Sequence, residues 1–569
     1  MNFFLTLTKN GDVSFSPFWE RENLDPSIIS YLSAPLPLAL IQFVQERLDR
    51  RDSFVFWHKG SRRKDIKPEI LKILKTFARD PLSFTWKEIS PTSSVPQVGL
   101  DDDQQDEIRK AFNRLVSARQ LSIGDLHGLA RELRIKDAEV IKLTHFNVEQ
   151  GRGQWIPAVK RLGTGWQCQR CGETDVEEWP SFYGMAATCR SCESIGSSTS
   201  LDVLYRDQRL LLEGPSEVLL KPHWTLTDAQ RLASEQVLEF IQDPFAETAL
   251  LWAACGAGKT EVCFPSATWA LKQGKSVLFA APRQDVINDV VPRIKRDFPN
   301  YPFQVLTGTS SVKYKVGGMV LATTHQVLRF WRAFDVIFMD EMDAFPYRGS
   351  RALEWGLNHA LRQGGKMLYL TATPSPEGLK AVQLGKMKLI RLPARHHRNP
   401  LPVPSWERPR HSLEPQGCSA VDITQIERLR VQGPVLIFVP KISWIAPWVK
   451  FFQLRFPDWC INGSYSADQG RPAKIEQLRQ GKFDLFLSTT ILERGITLQG
   501  IQVIVLAADH PIFDERALVQ MAGRVGRTRE NPTGKVIFMA EKMTGPMRTA
   551  VKWIEEQNKC ALELGLIEA

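Results

Sequence analysis

Residues 250–262 read Leu250, Leu251, Trp252, Ala253, Ala254, Cys255, Gly256, Ala257, Gly258, Lys259, Thr260, Glu261, Val262. The apolar run closing on Trp252 predicts a strand and the residues after Lys259 a helix, so the turn between them is a phosphate loop. Gly256 and Gly258 let the backbone aim its amides at phosphate oxygens, and the start of the next helix adds a positive dipole end. Lys259 is placed to reach the β and γ phosphates of ATP, and the Thr260 hydroxyl to ligate Mg²⁺. Ala253 stands where the commonest form of the motif has glycine. The competing reading is a chance glycine-rich turn, which the flanking strand and helix argue against.

Working outward, the run Val336, Ile337, Phe338, Met339 ends in Asp340, Glu341, Met342, Asp343. A carboxylate at a strand end opposite the phosphate loop can hold Mg²⁺, and its neighbour can orient and deprotonate the attacking water. Asp340 is assigned to the metal and Glu341 to the water; an isolated acidic turn is the alternative, and the pairing with Lys259 weighs against it. Further on, the strand at Val503–Leu506 precedes a helical stretch with Gln520, Met521, Ala522, Gly523, Arg524, Val525, Gly526, Arg527. Arginines brought from another lobe neutralise charge developing on the γ-phosphate. Arg524 and Arg527 are the candidates, against the plainer reading of a basic surface helix.

Between and beyond these motifs, apolar runs alternate with helical stretches: 248–253, 276–280, 318–322, 336–339 and 367–370, then 435–439, 485–487, 503–506 and 536–538. That alternation predicts an α/β protein with parallel strands and crossover helices. The proline-rich segment 392–404 divides it into two tandem lobes. At 569 residues the chain also has room for other domains. The expected division is an N-terminal α/β region of unassigned role at 1–160, a cysteine module at 161–200, an ATP-binding lobe at 201–395 and a second lobe at 396–569. Within the first part, Ser90–Asp106 reads as an exposed acidic linker, and Gln105–Ile135 has helical spacing with Ile108, Phe112, Leu115 and Val116 on one face.

Hydrophobic residues at 43% and charged residues at 24% describe an ordinary globular chain. Lys and Arg exceed Asp and Glu by ten, a balance that favours a polyanionic partner yet is shared by many proteins that bind none. Residues 1–18 lack the basic and apolar regions of a secretory signal, and no apolar run of about twenty residues could span a bilayer. A soluble, cytoplasmic chain is the expectation. Of the nine cysteines, four cluster: Cys168 and Cys171, then Cys189 and Cys192. Two Cys-x-x-Cys knuckles complete a tetrahedral sulfur site that suits structural Zn²⁺, with iron the competing metal. Arg161, Arg170, Arg190, Trp166, Trp179, Phe182 and Tyr183 flank the knuckles. They could contact phosphates and stack on bases, or pack a small metal-held core.

Across residues 220–530 the motifs resemble those of superfamily 2 helicases, whose two RecA-like lobes clamp ATP; there the Ala-x-x-Gly-x-Gly-Lys-Thr form of the phosphate loop is usual. Trp224, Leu226, Thr227 and Gln230 resemble the glutamine motif, which implies that Gln230 reads adenine, and Gln520 joins the implied nucleotide contacts. Arg283 in Pro282–Val286, Thr323 and Thr324 in Thr323–Gln326, and Thr489 and Arg494 in Thr489–Ile496 match strand-contacting motifs. Thr371, Ala372 and Thr373 match the motif that couples hydrolysis to lobe movement. The runs DEMDAFPY (340–347), TTHQVLRF (323–330), LPARHHRNPLPVP (392–404) and LVQMAGRVGR (518–527), with four cysteines ahead of the motor, resemble the late-competence DNA-uptake helicases of the ComFA family. Met342 is a small departure from that family's usual acidic motif.

The resemblance implies a DNA-dependent ATPase, using ATP, Mg²⁺ and Zn²⁺. It would act at the inner face of the cytoplasmic membrane with the competence DNA-uptake machinery, helping to draw single-stranded DNA inward. An RNA helicase, a replication-restart type of DNA helicase, and a zinc-bearing scaffold with a decayed ATPase are the other readings; a homo-oligomer is left open. In the replication-restart type the knuckles lie within the motor, whereas here they precede it.

Overall fold

The strand that feeds the phosphate loop, Thr248–Ala253, lies inside a seven-stranded sheet in the computed structural model. Strand order across that sheet is Phe303–Leu306, Met319–Thr323, Val277–Ala281, Phe334–Asp340, Leu361–Thr371, Thr248–Ala253, Lys388–Leu392, and every pair is parallel. Successive side chains point to opposite faces: Val336 and Phe338 enter one core, Ile337 and Met339 another. Burial on both faces is what the near-continuous apolar runs dictate. The second lobe repeats the design with six parallel strands, ordered Ser405–Glu407, Val536–Met539, Gln502–Leu506, Val435–Phe438, Leu485–Ser488, Ile461–Ser464. One core cluster is continuous from Phe338 and Leu370 in the first sheet to Val503 and Phe538 in the second. The structure describes residues 1–568 except 19, 21–23, 56–65, 77–83, 90–101, 164, 211–216, 311–312, 315–316, 410–412, 416–422 and 491–497.

The N-terminal region pairs its strands antiparallel. A sheet built on Asn2–Thr8 packs with the helices Leu38–Val55 and Lys67–Lys75. The acidic linker expected at 90–106 falls outside the described residues up to 101. From Asp102 the chain is helical to Val116. The single helical stretch expected at 105–135 is two helices. Ala118 takes a left-handed φ of 56°, Gln120–Ser122 forms a strand, and a Ser122/Asp125 capping box starts the next helix, Ile123–Leu133.

Val203–Asp207 belongs to the span expected for the first lobe, yet it is the central strand between Gln120–Ser122 and Gly153–Pro157. The cysteine hairpins are thus an excursion between two adjacent strands. They are also not the separable module that the composition suggested, because the four cysteines share a core cluster with Leu278, Ile337 and Leu357 of the first lobe. Gly172 shows the closeness: its φ is 74°, and a Cβ there would sit 2.2 Å from the Trp355 ring. Polar groups seal the same seam. Gln120 N donates to Arg329 O at 2.8 Å, Trp331 N to Ala118 O at 3.0 Å, and the Arg206 guanidinium lies 3.6 Å over Trp331 while bonding the Gln169 carbonyl.

Candidate functional site

The phosphate loop opens into a cleft of about 510 Å³ between the lobes. Gly258 turns the chain with φ 81°, and a Cβ there would come within 2.6 Å of Gln230 Nε2, so glycine serves both conformation and approach. Lys259 and Thr260 then begin the helix Lys259–Lys272. Lys259 Nζ meets Asp340 Oδ1 at 2.9 Å. Burial works against the Lys259 charge, but Asp340 and Glu341 outweigh it and hold the ammonium above its ordinary pKa. Glu341 takes a left-handed φ of 52° just past the strand end, and its amide donates to Asp340 Oδ1 at 2.8 Å. The backbone turn therefore separates the two carboxylates after one strand.

From the second lobe, the helix Glu515–Ala522 delivers Gln520, and the turn after it delivers Arg524 and Arg527; all three line the same cleft as Gly256, Gly258, Lys259, Thr260, Asp340 and Glu341. Arg527 Nε is held by Gly523 O at 2.7 Å, and its Cγ would lie 3.6 Å from a Cβ on Gly256, so this side chain lies over the phosphate loop. Burial draws the Arg527 pKa below its usual value, with Glu341 and Asp289 opposing the shift. Gln230 also lines the cleft. Its Oε1 accepts from Thr227 N at 3.0 Å and its Nε2 donates to Ala257 O at 2.8 Å, so the amide braces the loop. Ala253 is buried at the strand end behind the loop.

Asp343, the last residue of the acidic run, is buried and accepts from Thr371 Oγ1 at 2.6 Å and Thr373 Oγ1 at 2.5 Å. These bonds tie the end of one strand to the loop after its neighbour. Residue reading missed two further features. Arg395 bonds Cys255 O in the phosphate loop and, across the lobe boundary, the carbonyls of Gly523, Val525 and Gly526, and Arg293 pairs with Glu261 at 3.0 Å on the cleft wall. The only signal for Arg395 was its place in the run Leu392–Pro404.

The residues matched to strand-contacting motifs are less gathered. Thr323 ends the strand Met319–Thr323 and Thr324 starts the short helix after it; both are buried, as is Thr489 past Leu485–Ser488. Arg283 is half-buried, its Nε 3.4 Å from Phe345 O. Arg494 lies outside the described residues. Salt bridges Arg471–Asp285 at 2.8 Å and Arg348–Asp514 at 3.0 Å join the lobes.

The cysteines converge as their spacing demands. Cys168 ends the hairpin strand Gly165–Cys168 and Cys189 ends Gly184–Cys189, so each knuckle follows a paired strand. All four sulfurs are buried and lie within 4.8 Å of one another, with Cys168–Cys192 at 3.7 Å and Cys171–Cys189 at 3.6 Å. A tetrahedron with bonds of about 2.3 Å has edges of about 3.8 Å, so the donor set fits Zn²⁺. Two of the flanking groups, open to either nucleic-acid contact or core packing, are engaged within the fold. Arg170 is buried and donates to Ile195 O at 2.9 Å and Gly196 O at 3.1 Å, while Tyr183 donates to Pro35 O at 3.3 Å. Residues 161–200 hold three arginines against five carboxylates, a balance that disfavours a polyanion.

A phosphate loop and paired carboxylates in one parallel α/β lobe, facing an arginine turn from a second, define an ATP-dependent helicase motor of superfamily 2. Residues 223–376 match the family model of the type III restriction enzyme res subunit, and residues 421–529 that of the helicase conserved C-terminal domain. Competence protein ComFA of Bacillus subtilis (strain 168) is 35% identical over 461 residues, covering 78% of this chain and 96% of that protein. Its counterpart from Streptococcus pneumoniae is 33% identical over 415 residues, covering 72% and 94%. The chain belongs to the ComFA family of competence proteins. Among solved structures, S. cerevisiae Dbp5 bound to RNA and ADP BeF3 is similar at TM-score 0.42 and 15% identity, over 59% of this chain and 88% of that one. RecG bound to a three-way DNA junction is similar at TM-score 0.43 and 14% identity, over 62% and 49%. Among the described residues, no helix is long and apolar enough to cross a membrane.

Proposed function

We propose that this ATPase moves single-stranded DNA, and that in the cell it helps draw transforming DNA inward during natural competence. The observation that carries the reading is the shared cleft, where Lys259, Asp340 and Glu341 of one lobe face Arg524 and Arg527 of the other. Lys259 binds the β and γ phosphates in place of Asp340, and Glu341 takes the proton of the attacking water. Thr260 and Asp340 would hold Mg²⁺, which neutralises phosphate charge. Arg524 and Arg527 stabilise the charge that develops on the transferred group, so turnover requires closed lobes. Gln230 and Gln520 bound the nucleotide. Asp343 relays the state of the cleft to Thr371 and Thr373.

The strand lies across both lobes against Arg283, Thr323, Thr324, Thr489 and Arg494, and lobe closure and reopening advance it along the phosphate backbone without reading sequence. Cys168, Cys171, Cys189 and Cys192 would hold structural Zn²⁺ and so fix the hairpins, which pack between the N-terminal region and the first lobe; Val203–Asp207, expected in the lobe at 201–395, joins the N-terminal sheet, and residues 396–569 form the partner lobe. The protein works at the inner face of the membrane beside other uptake components. The test is ATP-dependent displacement of streptavidin from one biotinylated end of a single strand. Displacement from one end supports directional movement, and none with active ATPase refutes it.

A further inference from the structure

Just past the strand Lys388–Leu392, where the first lobe gives way to the second, Arg395 is 1% exposed. Its guanidinium donates to carbonyls on both sides of the lobe boundary. Nε reaches Cys255 O in the phosphate loop at 2.7 Å, Nη1 reaches Val525 O at 2.6 Å and also Gly526 O, and Nη2 reaches Gly523 O at 3.1 Å. His397 Nε2 lies 2.8 Å from the same Gly526 carbonyl. The lobes touch closely here, since a Cβ on Gly523 would stand 2.4 Å from Cys255 Cβ.

We propose that Arg395 is a positioning residue for hydrolysis, fixing the turn that carries Arg524 and Arg527 and registering that turn on the phosphate loop. This rests on the reading of those two arginines as the charge-stabilising pair. Three of its four acceptors, Gly523, Val525 and Gly526, are backbone groups of the arginine turn itself, at the carbonyl end of the helix Glu515–Ala522. Carbonyls at a helix end attract a cation, and a planar five-donor fork holds several at fixed angles, which a lysine ammonium cannot do. The fourth acceptor, Cys255 O, transmits that geometry to the loop beside Gly256 and Lys259. All four of these acceptors are backbone carbonyls and none is a carboxylate, so a cation is buried here against carbonyl dipoles. Stability by itself is better served by an apolar side chain of similar volume, which leaves geometry as the gain.

The experiment compares Arg395→Lys, Arg395→Gln, Arg527→Lys and the Arg395→Lys/Arg527→Lys pair in full-length protein with saturating single-stranded DNA. ATP turnover, KM for ATP and thermal midpoint are read for each. A misplacement of about 1 Å costs about a hundredfold in rate, so Arg395→Lys is expected to lose about that much kcat with KM within about threefold. Because Arg395 acts through the arginine turn, the combined variant is expected to turn over no more slowly than Arg527→Lys alone. Parental kcat in Arg395→Lys, losses that multiply in the pair, or losses that merely follow a falling midpoint across Lys and Gln would overturn the proposal. Parental kcat in Arg527→Lys would instead overturn the reading of Arg527 on which it rests.

Discussion

Lys259 Nζ sits 2.9 Å from Asp340 Oδ1, so the cation of the phosphate loop and the carboxylate of the neighbouring acidic run neutralise each other across the cleft. On the proposed reading, a nucleotide entering the cleft takes Lys259 from Asp340 and frees that carboxylate to hold Mg²⁺. Lys259→Ala therefore leaves Asp340 without its counter-ion and the phosphates without their anchor. Hydrolysis is expected to vanish while single-stranded DNA affinity, read by fluorescence anisotropy, stays within about threefold, because phosphate contacts along the polymer are made elsewhere. Residual turnover at the parental rate would contradict the role of Lys259.

Asp343 is the hinge of a second prediction. It accepts hydroxyls from Thr371 and Thr373 in a buried site, and bonds to a charged acceptor contribute about 1.5–3 kcal/mol. Asp343→Asn keeps the volume and removes the charge. DNA-stimulated hydrolysis should fall about tenfold or more, with ATP binding retained when measured by titration of a fluorescent analogue. Unchanged stimulation would mean that these bonds carry no signal.

The phosphate loop, the acidic run, the strand pattern and the cysteine pairs were legible because each depends on local order: a glycine turn, a strand end, a knuckle. What sequence hid depends on contacts between distant segments. Arg395 looked like part of a basic linker, and only the approach of residues 523–526 shows what its guanidinium holds. For Arg170 the residues left phosphate contact and packing both open, and its bonds to Ile195 and Gly196 place it inside the module. The strand Gln120–Ser122 was lost within a helical pattern because its partner lies more than eighty residues away, at Leu204–Arg206.

The cysteine site yields a metal prediction. Cys189→Ser removes one thiolate from a closed set of four buried sulfurs, so purified protein should lose its zinc by elemental analysis. Since the hairpins pack against Trp355 of the motor lobe, the thermal midpoint and DNA-stimulated ATPase should fall with it. Zinc retained at full stoichiometry would refute the ligand assignment.

The N-terminal region should respond to acid through His145. Burial lowers its pKa to about 4, below the value of about 6.5 for an unfolded histidine. A depressed folded pKa means that the contribution is complete above about pH 6.5 and is lost as pH falls toward 4, by up to about 1.4 kcal/mol per unit. Thermal melts from pH 7 to pH 4.5 should show that slope, and His145→Leu should flatten it. An identical slope in the variant would assign the sensitivity to other groups.

The central claim is that both lobes build one nucleotide cleft whose turnover is governed by a bound polymer. Its most direct test is the ATP hydrolysis rate of the intact protein at one fixed salt concentration, with single-stranded DNA, duplex DNA, RNA or no polymer, because salt alone shifts such binding strongly. The account predicts slow basal turnover raised most by single-stranded DNA. Hydrolysis that is absent with every polymer, or equally fast with none, would contradict it.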